Sequence, residues 1–407
     1  MGFTALARSG AQTSDMEAVR TDDLSFETSA GLVSMKMTSD LQTIASEWRA
    51  IEAAVYCTSA QTFDWARAWS AHVLAAQGRS PVVAIGYGSD GQVQFLLPFE
   101  TKTVGGLTVL RWLSQDHANY LFGLFRLAFA SALSKSDLSR ILNEVGRWSG
   151  ASVAALEAQP FDWGGTPNPF GLLSHQPAPN SGFAVRLGDF ETLYCERYKK
   201  RARQSLLRKE RRLWEAGTLE YGWAETTQEK REVLETFFAQ KATQFAAMGV
   251  TDIFTPEARA FYAALVMLPE DSPSRLRLGY VALNGEILAT FSGTVVHDRV
   301  NVLLSSLADS PFQRQSPGAQ LLRHQIEEAC NDGLAYFDLG VGAARHKSEW
   351  SNEVYPLFDS YLALKPQGLA VTLPFTVKSA LKRTIKSNPR LWALAQTVRR
   401  TIKGGHA

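Results

Sequence analysis

Two stretches of this sequence share one order of turn and strand residues, and this repetition limits the fold more than any other feature. SDGQVQFLLPF begins at Ser89, and LNGEILATFSG begins at Leu283. Each contains a turn dipeptide, Asp90–Gly91 or Asn284–Gly285, followed by Gln or Glu and then by an apolar run. Both dipeptides tolerate positive φ, which suits the tight turns that join antiparallel strands. We therefore predict a β-hairpin at each position.

Helical patterns precede both hairpins. Apolar residues recur at helical spacing over residues 41–55, and a second helix is predicted over 63–77. Ahead of the second hairpin, a basic helix is predicted over 191–217 and ends at a glycine. Another helix begins at a capping box, Thr226 with a Glu three residues later, and a third begins at Thr255, which Pro follows.

These repeated patterns predict two related α/β halves with a tail at each end. A chain of 407 residues is long enough for two globular domains. The join is predicted near PAPNSG, which gives an N-terminal half over 31–182 and a C-terminal half over 183–370. Residues 1–30 are rich in Ser, Thr and acids and have no period, so we predict a disordered tail. Residues 371–407 are predicted to form a basic helical tail.

Charge and cysteine content exclude several classes of function. The chain has 42 Lys and Arg against 40 Asp and Glu, and a net charge of +2 does not draw it toward nucleic acid. The three cysteines lie far apart without a CxxC pair, so we predict neither disulfides nor a metal site. No secretory signal is evident, and no stretch approaches the ~18–20 apolar residues of a membrane span. A reduced, cytoplasmic setting is predicted.

The stretch from Arg314 to Trp350 contains the most suggestive chemistry. A predicted strand, RVNVLLSSL, leads to a helix for which Ser316 is predicted as N-cap and Pro317 as first residue. Gly318 then lets the backbone approach a ligand, and the buried strand LAYFDLG follows the helix. A free helix N-terminus presents unpaired N–H groups and a positive partial charge, which suits phosphates. A well-capped helix packed on a strand is the alternative.

This segment resembles the coenzyme-A-binding motif of the GNAT acyltransferase superfamily: Gln or Arg, two residues, Gly, one residue, then Gly or Ala. Gln315 and Gly318 match that motif, while Gln320 replaces its last small residue. The wider order of segments resembles the CelD/BcsL-type branch of GNAT proteins, which is associated with polysaccharide biosynthesis. The shared segments are KKRARQSLLRKERRLWEAG, TPEARAFYAAL, LNGEILAT, SPG, FDLGVG and HKSEW. The branch usually has Tyr at the position of His346.

The resemblance implies two GNAT-like halves, each a mixed, mostly antiparallel central sheet flanked by helices. It implies an N- or O-acyltransferase whose donor is acetyl-CoA or another acyl-CoA, with no metal. The acceptor would be an amino or hydroxyl group of a sugar, glycan precursor or similar small molecule that attacks the thioester directly. Ser305 and Leu307 would pair with the pantetheine arm. The N–H groups around Gly318 and Ala319 would hold the pyrophosphate, and the other residues implied to bind the coenzyme are Gln315, Ser316 and Gln320.

The candidate catalytic residues have structural alternatives. His346 is a candidate base because the pKa of imidazole lies near neutrality, and the alternative is a surface histidine. Asp338 lies in an apolar strand, so it is either functional or hydrogen-bonded to the turn that follows it. The predicted substrate contacts are Lys347, Arg201, Asp116, His117 and Tyr120, the last three from the polar run SQDHANY.

Other functions and partners are also consistent with the sequence. Fem-type aminoacyl transferases, which have tandem GNAT halves, would use aminoacyl-tRNA as donor. A non-catalytic protein would dock on a membrane-bound polysaccharide synthase. The tail from Lys378 holds eight Lys and Arg and no acid, so contact with a membrane surface is an alternative to a flexible or packed tail. Nucleic acid other than tRNA is not favoured, because we find no binding motif.

Overall fold

The computed structural model describes residues 23–388, so the outer parts of both predicted tails lie outside the described residues. Residues 23–30, predicted as part of a disordered tail, instead form a strand and the turn after it. Leu24 and Phe26 alternate with polar residues there, and Phe26 is buried against the sheet. This short apolar alternation is enough to pair the segment with the next strand.

Strands and helices alternate along the chain. The strands are β1 Asp23–Thr28, β2 Gly31–Thr38, β3 Pro81–Tyr87, β4 Val93–Val104, β5 Leu107–Trp112, β6 Leu124–Phe125, β7 Val153–Pro160, β8 Asp162–Trp163, β9 Thr166–Pro167, β10 Gln176–Pro177, β11 Gly182–Arg186, β12 Leu219–Trp223, β13 Gly279–Leu283, β14 Glu286–Val296, β15 Arg299–Leu307, β16 Tyr336–Val341, β17 Glu353–Tyr355 and β18 Leu357–Ala363. The α-helices are α1 Ala45–Ala54, α2 Phe63–Trp69, α3 Leu127–Ala132, α4 Lys135–Ser149, α5 Phe190–Arg197, α6 Lys200–Ala216, α7 Thr227–Met248, α8 Pro256–Val266, α9 Pro317–Asn331, α10 Arg345–Trp350 and α11 Leu369–Ser387.

Within residues 23–388, most strands belong to two large sheets. The first has the order β1-β2-β3-β4-β5-β7-β18-β10, with β6 beside β4, and the second has the order β12-β13-β14-β15-β16-β11-β17. Two neighbouring pairs, β5 with β7 and β15 with β16, run parallel, while the other recorded neighbours are antiparallel. The prediction of mixed, mostly antiparallel sheets flanked by helices is confirmed.

The two halves repeat one order of elements. In each half, a strand and two helices precede a hairpin, a third strand, a helical segment and a parallel strand. Both hairpins form, but their turns differ. Asn284 and Gly285 both have positive φ, whereas at the first hairpin Asp90 does not, and residues 88–92 join the strands. The tight turn predicted at Asp90–Gly91 is therefore a longer loop.

The first sheet is completed by a strand from the C-terminal half of the chain. β11 begins at the predicted boundary and pairs with β16 and β17 of the C-terminal half in the second sheet. β18, near the end of the C-terminal half, instead pairs with β7 of the first sheet, where Phe358 is buried in the core. The sequence boundary between residues 182 and 183 therefore does not separate two independent sheets.

One apolar core joins the halves. Trp65 and Trp69 of α2 contact Phe261 of α8 edge-to-face, with ring centroids 4.9 and 5.2 Å apart. Trp48 of α1 and Phe237 of α7 are buried in the same cluster. Aromatic pairs of this kind stabilise by ≈ 0.5–1.5 kcal/mol beyond the area they bury. The helices of one half are thus packed directly against those of the other.

The basic helix predicted over 191–217 is broken in the structure. α5 ends at Arg197, and α6 begins at Lys200. Between them Tyr198 is extended, its ring centroid lies 5.1 Å from that of Trp350, and its hydroxyl donates to Glu349 over 3.1 Å. Packing on α10 therefore outweighs the local helical preference of this segment.

Replacing Phe358 with alanine tests the pairing of β18 with the N-terminal sheet. We expect Phe358→Ala to lower the free energy of unfolding by about 3–5 kcal/mol, because the ring is fully buried. Since the halves share a core, circular dichroism during denaturation should still show one transition. Val354→Ala, at a side chain that is 56% exposed, is the control and should change stability by about 0.5 kcal/mol or less. Equal effects of the two variants would contradict this pairing.

Candidate active site

β15 and β16 pair only at their beginnings. The parallel register covers three residues of each strand, Arg299–Asn301 beside Tyr336–Asp338, and the strands then diverge. A β-bulge interrupts the pairing of β15 with β14 where β15 diverges, between Val302 and Leu304. Bulges bend a strand and often occur beside active sites. The result is a V-shaped gap, here called the splay, between the ends of β15 and β16.

Asn119, from the N-terminal half, closes the base of the splay. Its Nδ2 donates to the Val302 carbonyl over 2.8 Å, and its Oδ1 accepts from the Val341 N–H over 3.3 Å. Gly340 accommodates it, because a Cβ at that position would lie 2.7 Å from the Asn119 amide nitrogen. The N-terminal half thus contributes a side chain directly to the sheet of the C-terminal half.

The open end of the splay and the start of α9 line one cleft of about 350 Å³. Its lining residues include Lys241, Ser305, Leu307, Gly318, Ala319 and His346. Pro317 begins α9 as predicted, but Ser316 is not the predicted side-chain cap: it is left-handed, and its hydroxyl accepts from Lys209 Nζ over 2.9 Å. The first turn of α9 contains no acid. An ammonium group and the positive end of a helix therefore meet at this point, which favours an anion.

The corresponding helix of the N-terminal half supplies its own anion. Ser134 and Asp137 form a capping box at the start of α4, and the Ser29 N–H also donates to Asp137. Burial acts to raise the pKa of the Asp137 carboxyl, but these hydrogen bonds outweigh burial and lower the pKa to about 2. Beside β7, the Leu121 N–H donates to the Ala158 carbonyl over 3.2 Å. In the N-terminal half, the edge of this strand is therefore bonded to the protein's own backbone. The arrangement that favours an external anion lies in the C-terminal half.

Basic side chains converge on the cleft and the splay. Lys241 Nζ donates to the Ser305 carbonyl over 3.0 Å, and Lys347 Nζ donates to the Val341 carbonyl over 2.9 Å. Burial lowers the pKa of Lys241, and burial lowers the pKa of Lys347 to about 8 although Asp338 opposes this change. Burial, followed by the charge of Lys347, lowers the pKa of His346 to about 4. An anion bound here would relieve the mutual repulsion of the lysines.

Two side chains of α7 bond to the free edge of β15. Besides Lys241, Gln244 Nε2 donates to the Leu307 carbonyl over 2.8 Å. The carbonyls of Ser305 and Leu307, which the family resemblance assigned to the pantetheine arm, therefore already have donors in this structure. A pantetheine arm that paired with these carbonyls would displace both side chains of α7.

Only some of the remaining residues implied for coenzyme binding lie in the cleft. Gly318 and Ala319 line the cleft. Gln320 is fully buried, and its Nε2 donates to the Leu206 carbonyl of α6 over 2.8 Å, so it ties α9 to α6 instead of facing the cleft. Gln315 ends the short 3-10 helix before α9 and is partly buried. Arg201 is exposed on α6.

Asp338 points away from the cleft, into the contact between the halves. It accepts from the Tyr120 hydroxyl, from Arg299 Nη1 and from the Gly340 N–H, each over 2.8 Å. Burial raises the pKa of its carboxyl, and the charge of Arg299 opposes the rise. Arg299 in turn borders a separate cavity of about 570 Å³ between the halves, beside Trp163. This placement matches the alternative in which Asp338 bonds to the turn that follows it.

The polar run SQDHANY also lies between the halves. Asp116 pairs with Arg111 at 2.7 Å, and His117 lies 3.3 Å from the Tyr262 hydroxyl in an aromatic setting. Tyr120 is buried against Asp338. None of these three predicted contacts is among the residues that line the cleft. The member of the run that reaches the splay is Asn119.

Sequence reasoning missed Lys209 of α6 and two side chains of α7, Lys241 and Gln244. Lys209 is one of many basic residues in α6, and only its contact with Ser316 distinguishes it. Lys241 and Gln244 lie in the apolar run FFAQKATQF, where polar residues on a predicted buried helix were a usable signal. Among the described residues, we find no cluster of three or more His, Cys, Asp or Glu that could hold a metal ion.

Residues 200–348 match a family model described as an acetyltransferase (GNAT) domain. The crystal structure of FemX superimposes with a TM-score of 0.56 and 13% identity, over 82% of this chain and 98% of that chain. The chain therefore shares the fold of FemX, and its C-terminal half contains the stretch that matches the GNAT domain. The domain match covers the cleft, the splay and α9, so the candidate site lies in the GNAT domain itself.

Two other solved structures superimpose on this chain with lower TM-scores. The C-terminal domain of a putative lysylphosphatidylglycerol synthetase from Agrobacterium fabrum is 13% identical, over 83% of this chain and 96% of that chain, with a TM-score of 0.49. A tandem GNAT protein from the clavulanic acid biosynthesis pathway is 10% identical, over 85% of this chain and 99% of that chain, with a TM-score of 0.41. No curated protein sequence matches this chain. The comparisons support the GNAT superfamily, and the CelD/BcsL branch stays a prediction.

Removing the side chain of Asn119 tests the contact at the base of the splay. We expect Asn119→Ala to lower the free energy of unfolding by about 1–3 kcal/mol, because two backbone groups lose their partner where β15 and β16 diverge. Denaturant titration measures this loss. Asn352→Ala is the matched control, since Asn352 bridges the N–H and carbonyl of Arg186 in the same way at an exposed position. A larger loss in the control than in Asn119→Ala would contradict this role.

The protonation of His346 can be observed directly. Its pKa of about 4 predicts a neutral ring at pH 6, where an ordinary histidine is largely charged. Because the charged form is disfavoured in the folded state, the protein should lose stability as the pH falls from about 6.5 to 4. Imidazole NMR signals should show a midpoint below pH 5 that His346→Phe removes. A midpoint near 6.5 would show that the ring is not buried as described.

Proposed function

We propose that this protein is an acyltransferase whose C-terminal half takes an acyl group from acyl-CoA, in the simplest case acetyl-CoA. The observation that carries the proposal is the uncapped start of α9, with Lys209 beside it, at the end of a splayed pair of parallel strands. This start differs from that of α4, where Asp137 already supplies a negative charge. A diphosphate is the chemical group that best matches a helix N-terminus and a lysine in one place.

The cleft extends from the start of α9, where the phosphates would bind, to the splay, where the acyl group would be transferred. On its lining, Gly318 lies at the start of α9, and Ser305 and His346 lie at the splay. A donor with its phosphates at α9 would therefore direct its acyl end toward the splay. The free edge of β15 offers N–H and carbonyl groups to an extended arm once Lys241 and Gln244 are displaced from their present bonds.

The reaction needs one nucleophile and one leaving group. An amino or hydroxyl group of the acceptor attacks the thioester carbonyl carbon, the carbon–sulfur bond breaks, and coenzyme A leaves as a thiol with the proton that the acceptor loses. Lys241 in the cleft and Lys347 at the splay would supply positive charge to the carbonyl oxygen as it becomes negative, and such charges lower the barrier. Lys347, with a pKa of about 8, loses this charge in mildly alkaline solution.

His346 is the residue of the cleft best suited to accept the acceptor's proton transiently. It is neutral at pH 7 because its pKa is about 4, so one ring nitrogen is free to accept. The same low pKa makes it a weak base, and the neighbouring lysines keep it from holding the proton. By resemblance to the CelD/BcsL branch, the acceptor would be a sugar, glycan precursor or similar small molecule.

Two observations favour a second donor, aminoacyl-tRNA. The β15 carbonyls that a pantetheine arm would use are bonded to Lys241 and Gln244. In addition, α6 exposes Arg201, Arg208 and Arg212, which would suit a longer phosphate backbone. Aminoacyl transfer of the Fem type would use the same cleft, with the ester of the tRNA in place of the thioester.

Thermal unfolding with each donor tests both proposals. At roughly 100-fold excess over Kd, a ligand stabilises the fold by ~2.7 kcal/mol, so CoA and acetyl-CoA should raise Tm by several degrees. Gly318→Trp should abolish this shift, because an indole would fill the cleft beside Leu307. Gly188→Trp, at an exposed glycine with open space, is the control and should keep it. Lys209→Met, which retains the backbone of α9, should weaken CoA binding about tenfold.

The pattern of responses distinguishes the alternatives. A shift with CoA that Gly318→Trp removes supports the first proposal. A shift with aminoacyl-tRNA alone would replace acyl-CoA with the second donor. No response to any donor in the wild type would contradict both and leave the non-catalytic alternative.

A further inference from the structure

Helix α11 has an apolar stripe on its outer side. Leu369, Leu373, Val377 and Leu381 recur every four residues, and their exposed fractions are 65, 67, 55 and 58%. Residues at this spacing lie on one side of a helix. Single exposed apolar residues are ordinary, but four in a row over three turns form a continuous patch.

The inner side of α11 is packed against the first sheet. The Phe375 ring stacks on Tyr361 of β18 with centroids 5.4 Å apart. Ser379 is buried, and its hydroxyl donates to Asp359 of the same strand over 2.8 Å. The Arg383 guanidinium donates to the Pro177 carbonyl of β10 over 3.0 Å. These contacts fix the rotation of α11 about its own axis. Its apolar stripe therefore faces outward.

The sequence around this stripe carries charge of one sign. Residues 365–388 contain five Lys and Arg and no Asp or Glu. The five are Lys365, Lys378, Lys382, Arg383 and Lys386. An apolar stripe within a strongly basic helix is the combination that binds at the surface of an anionic membrane. Within residues 23–388, no helix is long and apolar enough to cross a membrane.

We propose that α11 lies on the surface of an anionic phospholipid membrane, with its leucine and valine stripe inserted between the headgroups. A second copy of this chain is a less suitable occupant, because two basic helices placed face to face would repel each other. The same argument disfavours residues 389–407 as a cover, since they add Arg390, Arg399, Arg400 and Lys403 and no acid. A membrane with negative headgroups satisfies both the apolar stripe and the charge. This inference does not depend on the identity of the acyl donor.

Vesicle co-sedimentation of the full chain tests the proposal. We expect binding to vesicles of phosphatidylcholine mixed with phosphatidylglycerol, and binding at least about tenfold weaker to phosphatidylcholine alone. Salt should weaken the binding, since part of the attraction is electrostatic. Leu373→Glu should reduce binding about tenfold or more, because it places a negative charge in the centre of the stripe.

A matched variant distinguishes vesicle binding through this face of α11 from nonspecific binding by any exposed leucine. Leu127→Glu makes the same change at a leucine that is 55% exposed on α3 and should leave vesicle binding and Tm unchanged. Leu373→Glu should also leave Tm unchanged, because its side chain is exposed. Equal loss in both variants, or wild-type binding that ignores the anionic lipid, would overturn the proposal. Light scattering that shows a dimer, converted to a monomer by Leu373→Glu without any vesicle binding, would overturn it in favour of self-association.

Discussion

The pairing of β18 with the N-terminal sheet determines how the rest of the molecule is arranged. This strand belongs to the C-terminal half, yet it hydrogen-bonds along its length to β7 of the other half and supplies the buried Phe358 there. The shared aromatic core between α2 and α8 then has little freedom to shift. A side chain of one half can therefore be positioned in the site of the other with the precision of a single domain.

Asn119 makes use of that precision. It bonds to both diverging strands, β15 and β16, and so holds the base of the splay from the opposite half. The two halves repeat the same topology, yet they treat their helix starts differently. α4 is neutralised by Asp137, while α9 has Lys209 and the basic cleft beside it. The N-terminal half thus resembles a structural partner whose own site is closed, and the C-terminal half retains the open one.

Local chemistry made much of the fold predictable from the sequence. The capping boxes and turn dipeptides act over three or four residues, so Thr226, Thr255 and Asn284–Gly285 lie where they were expected. Features that depend on distant contacts were not predictable in this way. Tyr198 breaks a good helical pattern because it packs on Trp350, and Gln320 turns from the cleft because Leu206 offers a carbonyl. Asn119 could not be chosen from its polar neighbours without knowing which half it faces.

The position of β18 has a consequence for synthesis of the chain. β7 is made before residue 161, but its partner begins at Leu357, almost 200 residues later. Until then one edge of a largely apolar sheet stays unpaired, and such edges readily recruit other chains. Completion of the N-terminal sheet therefore waits until β18 and the C-terminal half before it have left the ribosome. Premature termination or slow translation anywhere in the C-terminal half would expose a nascent chain prone to aggregation.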